Sequence, residues 1–447
     1  GIGILSLFLI MLVPVYAEVT EFSIEKSFYT IEEGIVFVGT TDQKNTMVNI
    51  ILENPNQKES YFIGARSNSE GIFETMPKNV SDFFSTIGTY QFTAFTIQKD
   101  DGVTLSLEFD GSRVLKETIT ILQLNSIENK IVEVEKTIDD LYDRGFENLF
   151  LIGVGGTYAH FLPMKYISET LSTMPVHVVQ AAEFILQGNK HFSKDSLCVF
   201  CSRSGDTNEI VKAITFCNNA GATTLSFVCN SGTPVCELSK HHFVSFAEDD
   251  HLAECIYLEM FPVIFRLLKN RGEFVGYDKM FAQINSISPY LVKAKEQTEE
   301  MAKSLAKHHR DTDYHMVVGS GAVWGEAYDY AMCILEEMQW IKTKSIHAGE
   351  YFHGTIELTE EDTSIILLYG EDATRPLMDR VYNFAIKISK EVTVFDTRTV
   401  ELPVDEKYRQ YLSPLVIYTM LERFSCHLEK ERNHPLTTRR FYRQLQY

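Results

Sequence analysis

Two stretches of this chain carry residue types that can do chemistry. The first, Cys201-Ser202-Arg203-Ser204-Gly205-Asp206-Thr207-Asn208-Glu209, follows an apolar run and leads into a helical pattern. Such a strand-to-helix turn offers unpaired backbone N–H groups and the positive end of a helix dipole to an anion. Ser202, Ser204 and Thr207 add hydroxyl donors, and Gly205 permits close backbone approach, so the turn is a candidate phosphate site. The plainer reading is that Ser204 or Asp206 only caps the helix. Gly155-Gly156-Thr157 ends a neighbouring strand candidate. It is expected at the same C-terminal edge of the sheet, where ligands of open α/β sheets bind.

The second stretch is Leu335-Glu336-Glu337-Met338-Gln339-Trp340-Ile341 followed by Ser345-Ile346-His347-Ala348-Gly349-Glu350-Tyr351-Phe352-His353-Gly354. A carboxylate and an imidazole are a usual pair for moving protons at carbonyl carbons. Adjacent helical residues differ by about 100° in direction, so Glu336 and Glu337 are not expected to face one site together. Read alone, the stretch is a solvated acidic helix end and a polar loop.

The elements that must position these residues are legible around them. Leu149–Ile152, Val176–Val179, Leu197–Cys201 and Thr224–Val228 are apolar strand candidates separated by helical stretches, starting with a helix over 126–143. Strict alternation of this kind predicts a parallel sheet with helices on both faces. The run Phe150 to Tyr158 is echoed by Met316 to Trp324, each an apolar strand entering a glycine-rich turn and then a helix. Two doubly wound, flavodoxin-like halves over 125–275 and 295–447 are the simplest account. A long helix within 272–312 should join them. Where the first half has its serine turn, the second reads Tyr369-Gly370-Glu371-Asp372-Ala373-Thr374, whose acids would repel phosphate. One phosphate site per chain is therefore expected. Residues 18–115 differ in character, with short alternating strands between Asn-, Gly- and Asp-rich turns, as in a small all-β sandwich.

Composition narrows the partners. The net charge of −20 makes nucleic acid an unlikely ligand at long range. The eight cysteines all fall between Cys198 and Cys426, within apolar segments. Cys198 and Cys201 have CxxC spacing, but residues three apart in a strand point to opposite faces. No second CxxC and no suitably spaced His pair completes a zinc site, so neither metal nor cofactor is expected. Residues 1–17 pull the other way. Ile2 to Tyr16 is an almost unbroken apolar run containing Pro14 and precedes an Ala17-Glu18 junction of signal-peptide type.

Together the two motifs make a specific resemblance. The turn Ser-x-Ser-Gly-x-Thr and the run Glu…Gly-Glu-x-x-His-Gly resemble the double sugar-isomerase (SIS) domain family, which includes the fructoselysine-6-phosphate deglycases and the isomerase half of glucosamine-6-phosphate synthase. In that family a proton-shuttling Glu precedes a ring-opening His by sixteen positions. Glu337 and His353 have this spacing, which selects Glu337 over Glu336. The resemblance implies that Thr157, Ser202, Arg203, Ser204 and Thr207 hold a sugar phosphate. It implies that Glu337 shuttles a proton between C1 and C2, and that His353 assists ring opening from the partner subunit of a homodimer. Gly155, Gly156, His347 and Glu350 are candidate neighbours of the substrate. Arg203 stands where Gln is usual, and Thr355 where Pro commonly follows His-Gly. The tail from His434 to Tyr442 has no Lys for a Schiff base and resembles the deglycase ending.

The implied activity is cleavage of a fructosamine 6-phosphate, a phosphorylated amino sugar, to glucose 6-phosphate and an amine. An aldose–ketose phosphate isomerase and a non-catalytic sugar-phosphate sensor are the alternatives. The β-rich region resembles immunoglobulin-like modules of secreted surface proteins. An exported module ahead of a cytoplasmic phosphosugar enzyme is a conflict of address. It points to a chimeric gene model, which a transcript spanning residues 100–130 would test.

Overall fold

The computed structural model describes residues 19–25, 28–55, 60–109, 111, 113–116, 121–244, 254–442 and 444–445. The signal-like stretch 1–17 lies outside them. Among the described residues no helix is long and apolar enough to cross a membrane. The chain divides into two compact units, Gly1–Thr118 and Ile119–Tyr447.

The first unit is antiparallel β structure. A six-stranded sheet includes Met47–Glu53, Gly88–Phe95 and Val103–Phe109, and a three-stranded sheet includes Val19–Ile24 and Phe37–Thr41. Alternate residues of these strands point inward. Val48, Ile50, Leu52, Phe92 and Leu105 from the larger sheet meet Phe22, Phe37 and Phe73 from the smaller in one apolar core.

The second unit holds two parallel sheets. The first orders its strands 176–180, 148–153, 196–202, 223–228, 241–244, and the second 342–347, 314–319, 364–369, 392–396. Strands covered on both faces read as near-continuous apolar runs, and Asn148–Gly153 and Ser196–Ser202 are buried throughout. Leu149, Leu151, Val199 and Cys201 face one core while Phe150, Ile152, Cys198 and Phe200 face another. Cys198 and Cys201 thus lie on opposite sides of the sheet, as the strand periodicity predicts, and all eight cysteines are free thiols.

The strand order turns back between 148–153 and 196–202. The crevice beyond their carboxyl ends is the switch point at which open α/β sheets bind ligands. One expectation needs correction. The join between the halves is two helices, Tyr277–Ile284 and Ser288–His309, rather than one. Pro289 sits in the first turn of the second helix. It has no N–H to continue an upstream helix but fits a helix start.

Candidate functional site

The Ser202–Thr207 turn leaves the strand Ser196–Ser202 and enters the helix Asn208–Asn219, with Thr207 at the N-cap. Ser202 organises it: the Gly205 N–H donates to Ser202 Oγ at 3.1 Å, and Ser202 Oγ lies 3.2 Å from Thr207 Oγ1. Gly205 has φ +73°, and a Cβ there would come within 2.2 Å of Thr233 Oγ1, so both conformation and space demand glycine. The neighbouring turn opens the helix Gly155–Leu171. Thr157 Oγ1 accepts from the Val154 N–H at 3.2 Å and donates to the Val154 carbonyl at 2.9 Å. That hydroxyl caps its own helix.

Both turns border one cavity of about 1440 Å³, together with residues 329–338 of the second half and the C-terminal tail. Gly155, Gly156, Thr157, Ser202, Arg203, Ser204, Thr207 and Glu337 all line it. Cys333 packs toward the glycine turn, its Sγ 3.8 Å from where a Gly156 Cβ would stand, which brings Glu337 to the same side one turn later. The two adjacent glutamates both border the cavity, contrary to the expectation that one must turn away. The mouth is wide, and they part company in their partners. Glu336 is exposed and accepts from Thr343 Oγ1 at 2.7 Å, whereas Glu337 is half-buried with Arg439 Nε 3.0 Å from its Oε1.

His347, Glu350 and His353 do not line this cavity. His347 ends the strand Lys342–His347, a segment that reads as a loop in sequence. Its Nδ1 accepts from the Gly349 N–H at 3.1 Å, its ring packs edge-on to Trp324, and burial pushes its pKa down. Glu350 and His353 are exposed on the turns that follow, the His353 N–H donating to the Glu350 carbonyl at 3.0 Å. The second half fills its own glycine turn: Asp372 Oδ2 accepts from the Ala322 N–H at 2.9 Å and Oδ1 from Thr374. An internal carboxylate thus takes the place an anion would occupy.

Sequence reasoning missed four groups on the cavity wall: His160, Glu259, Asp329 and Arg439. The first three sit in helices among apolar neighbours, where spacing shows nothing. Arg439 belongs to a tail that doubles back at Asn433, which has left-handed φ 49°. Buried Leu436, whose N–H donates to Glu429, anchors that tail, as does His434, packed 4.4 Å from Trp340.

Glu259 is 4% exposed, and its Oε1 has no hydrogen-bond partner. Burial pushes its carboxyl from 4.5 up to about 8, with Lys130 opposing. A carboxyl whose folded-state pKa is raised contributes its full stability below about 4.5 and loses it as pH climbs toward 8. Glu259→Gln keeps the volume and removes the titration. Its unfolding free energy relative to the parent should therefore rise by on the order of a few kcal/mol between about pH 5 and pH 8. Urea melts at the two pH values measure this, and an equal difference at both would show that the carboxyl is not held neutral.

Comparison with known proteins places this geometry. The SIS domain family matches residues 140–261. A fructosamine deglycase of Bacillus subtilis is 33% identical over 318 residues, covering 70% of this chain and 97% of its own length. A fructoselysine 6-phosphate deglycase of Escherichia coli K12 is 21% identical over 332 residues, covering 70% and 94%. Among solved structures, a Bacillus subtilis protein provisionally called a phosphosugar isomerase superposes with TM-score 0.68 at 32% identity, covering 72% of this chain and 99% of that one.

Proposed function

The chain belongs to the sugar-isomerase (SIS) domain family of phosphosugar enzymes, and from that premise we propose that it cleaves a fructosamine 6-phosphate to glucose 6-phosphate and a free amine. The observation that carries this reading is the shared cavity, bordered by the serine turn on one side and by Glu337 on another. Its volume of about 1440 Å³ exceeds the roughly 300–1,000 Å³ of ordinary small-molecule pockets. The space beyond a hexose phosphate leaves room for the amine substituent that an Amadori compound carries. Two of the relatives named above are deglycases of this kind.

In this mechanism the hydroxyls and backbone N–H groups of residues 202–207 hold the phosphate with Arg203, and the helix starting at Gly155 adds its N-terminal dipole. Fixing the phosphate orients the distant C1–C2 unit, which supplies the positional part of the rate. Ring opening exposes the C2 ketone. Glu337 takes a proton from C1, giving an enaminol. Return of a proton to C2 gives an imine between C1 and the amine nitrogen. Water adds to C1 and the C1–N bond breaks, leaving the aldehyde of glucose 6-phosphate and the amine. Arg439 holds the Glu337 carboxylate in place. The imidazole for ring opening is His353 of a second copy of the chain. An exposed His353 outside its own cavity is what such sharing requires.

Steady-state assays with fructoselysine 6-phosphate and with fructose 6-phosphate test the proposal. Release of lysine and glucose 6-phosphate from the first, without interconversion of the second, is the expected result. Turnover of fructose 6-phosphate alone would make the enzyme an aldose–ketose isomerase. Binding of both without turnover would make it a sensor.

A further inference from the structure

Beneath the sugar cavity, His160, Glu326 and Asp329 form a cluster that the sequence gives no means of seeing, since His160 comes from the helix Gly155–Leu171 and the two acids from Trp324–Asp329. We propose that this cluster is a binding site for one divalent transition-metal ion, of the zinc or manganese class, held by His160 Nε2 and one carboxylate oxygen each from Glu326 and Asp329.

Three observations carry it. All three residues are buried, His160 with 4% of its surface exposed, and neither ring nitrogen of His160 has a hydrogen-bond partner. Its Nε2 stands 4.0 Å from Glu326 Oε1 and 3.8 Å from Asp329 Oδ2. Those separations are too long for direct hydrogen bonds. They fall within the roughly 3–4 Å expected between donors that each lie about 2.0–2.2 Å from one ion. A neutral imidazole and two carboxylates are the ligand types that zinc and manganese take. Tyr257 donates its hydroxyl to Glu326, the outer support that orients a ligating carboxylate.

The second observation is charge. Two carboxylates buried side by side require compensation. Neighbouring interior cations are engaged elsewhere: Lys295 pairs with Glu254 at 3.1 Å and Glu422 at 3.3 Å, and Arg423 with Glu299 at 2.7 Å. Among the described residues no Lys or Arg lies within ion-pair distance of Glu326 or Asp329. A divalent ion held between the three side chains supplies that compensation.

The third is position. His160 and Asp329 line the cavity, so an ion can enter from it. Asp329 Oδ1 would lie 2.8 Å from a Cβ placed on Gly156, against the very turn assigned to the phosphate. An anionic substrate arriving beside two carboxylates gains from a cation between them. This last point rests on the phosphate reading; the site itself, and its test, do not.

The experiment uses the full chain, stripped with chelator and dialysed, then titrated with Mn²⁺ by equilibrium dialysis and followed by electron paramagnetic resonance. Manganese is chosen because it avoids the eight free thiols. One equivalent per chain is expected, with nitrogen hyperfine coupling from a single imidazole. His160→Gln and, separately, Asp329→Asn should each weaken binding at least about tenfold. His308→Ala should leave it unchanged, although His308, His309 and Glu391 form another cluster of ligating groups at the surface. Circular dichroism checks that each variant is folded, and either of the two cluster variants suffices. Absence of stoichiometric binding, absence of the nitrogen coupling, or binding lost in His308→Ala instead would overturn the proposal.

Discussion

Glu337→Gln is expected to lower kcat on a fructosamine 6-phosphate by about 10²- to 10⁴-fold, the span over which a positioned acid–base group contributes, with binding of the sugar phosphate little changed. The amide preserves the side chain's shape and can still meet Arg439, but it cannot take a proton from C1. The proposed phosphate contacts sit on other elements, the turns at 155–157 and 202–207, so the ground-state complex should keep its main anchor. A change that removes an interaction made only in the transition state lowers kcat and kcat/KM together. That signature separates a base from a binding residue. Arg439→Gln, which leaves the base but removes its ion pair with Arg439, should cost less in kcat than Glu337→Gln. Single-turnover rates and equilibrium binding of a non-reacting hexose phosphate give both quantities. Undiminished turnover in Glu337→Gln would remove Glu337 from the chemistry.

Mixing two inactive variants should restore activity. His353→Ala is expected to fall to a level comparable with Glu337→Gln, because His353 lies outside its own chain's cavity and would serve the partner's. In a dimer with a two-fold axis the same patch serves both subunits. A mixed dimer of the two variants then holds one site with both substitutions and one site with neither. Random exchange of subunits at equal concentration should recover roughly a quarter of the parent rate. Each variant alone stays inactive, so the recovered rate reads sharing of the site and not stability. If the mixture shows only the sum of the two residual rates, the imidazole does not cross between subunits, and an imidazole within the chain must be sought. His160, on the cavity wall, would be the first candidate.

How much of this could be read in one dimension differs between the elements and the cavity. Parallel strands announced themselves because burial on both faces leaves runs such as Leu149-Phe150-Leu151-Ile152 and Leu197-Cys198-Val199-Phe200-Cys201 with no polar interruption. The serine turn was legible because its features are local: its hydroxyls, its glycine and its helix start lie within six residues. The acidic turn of the second half was legible for the same reason, and Asp372 does occupy it.

Properties that depend on which helices meet were decided by tertiary structure alone. His160, Glu259, Asp329 and Arg439 reach one cavity from four separate segments, and each looks in sequence like an ordinary helix or tail residue. The fold-back at Asn433, with left-handed φ 49°, sets where the tail and its Arg439 land. Periodicity records which way a side chain points from its own backbone. It holds no information about what stands opposite, and burial of a carboxyl or an imidazole is set by what stands opposite.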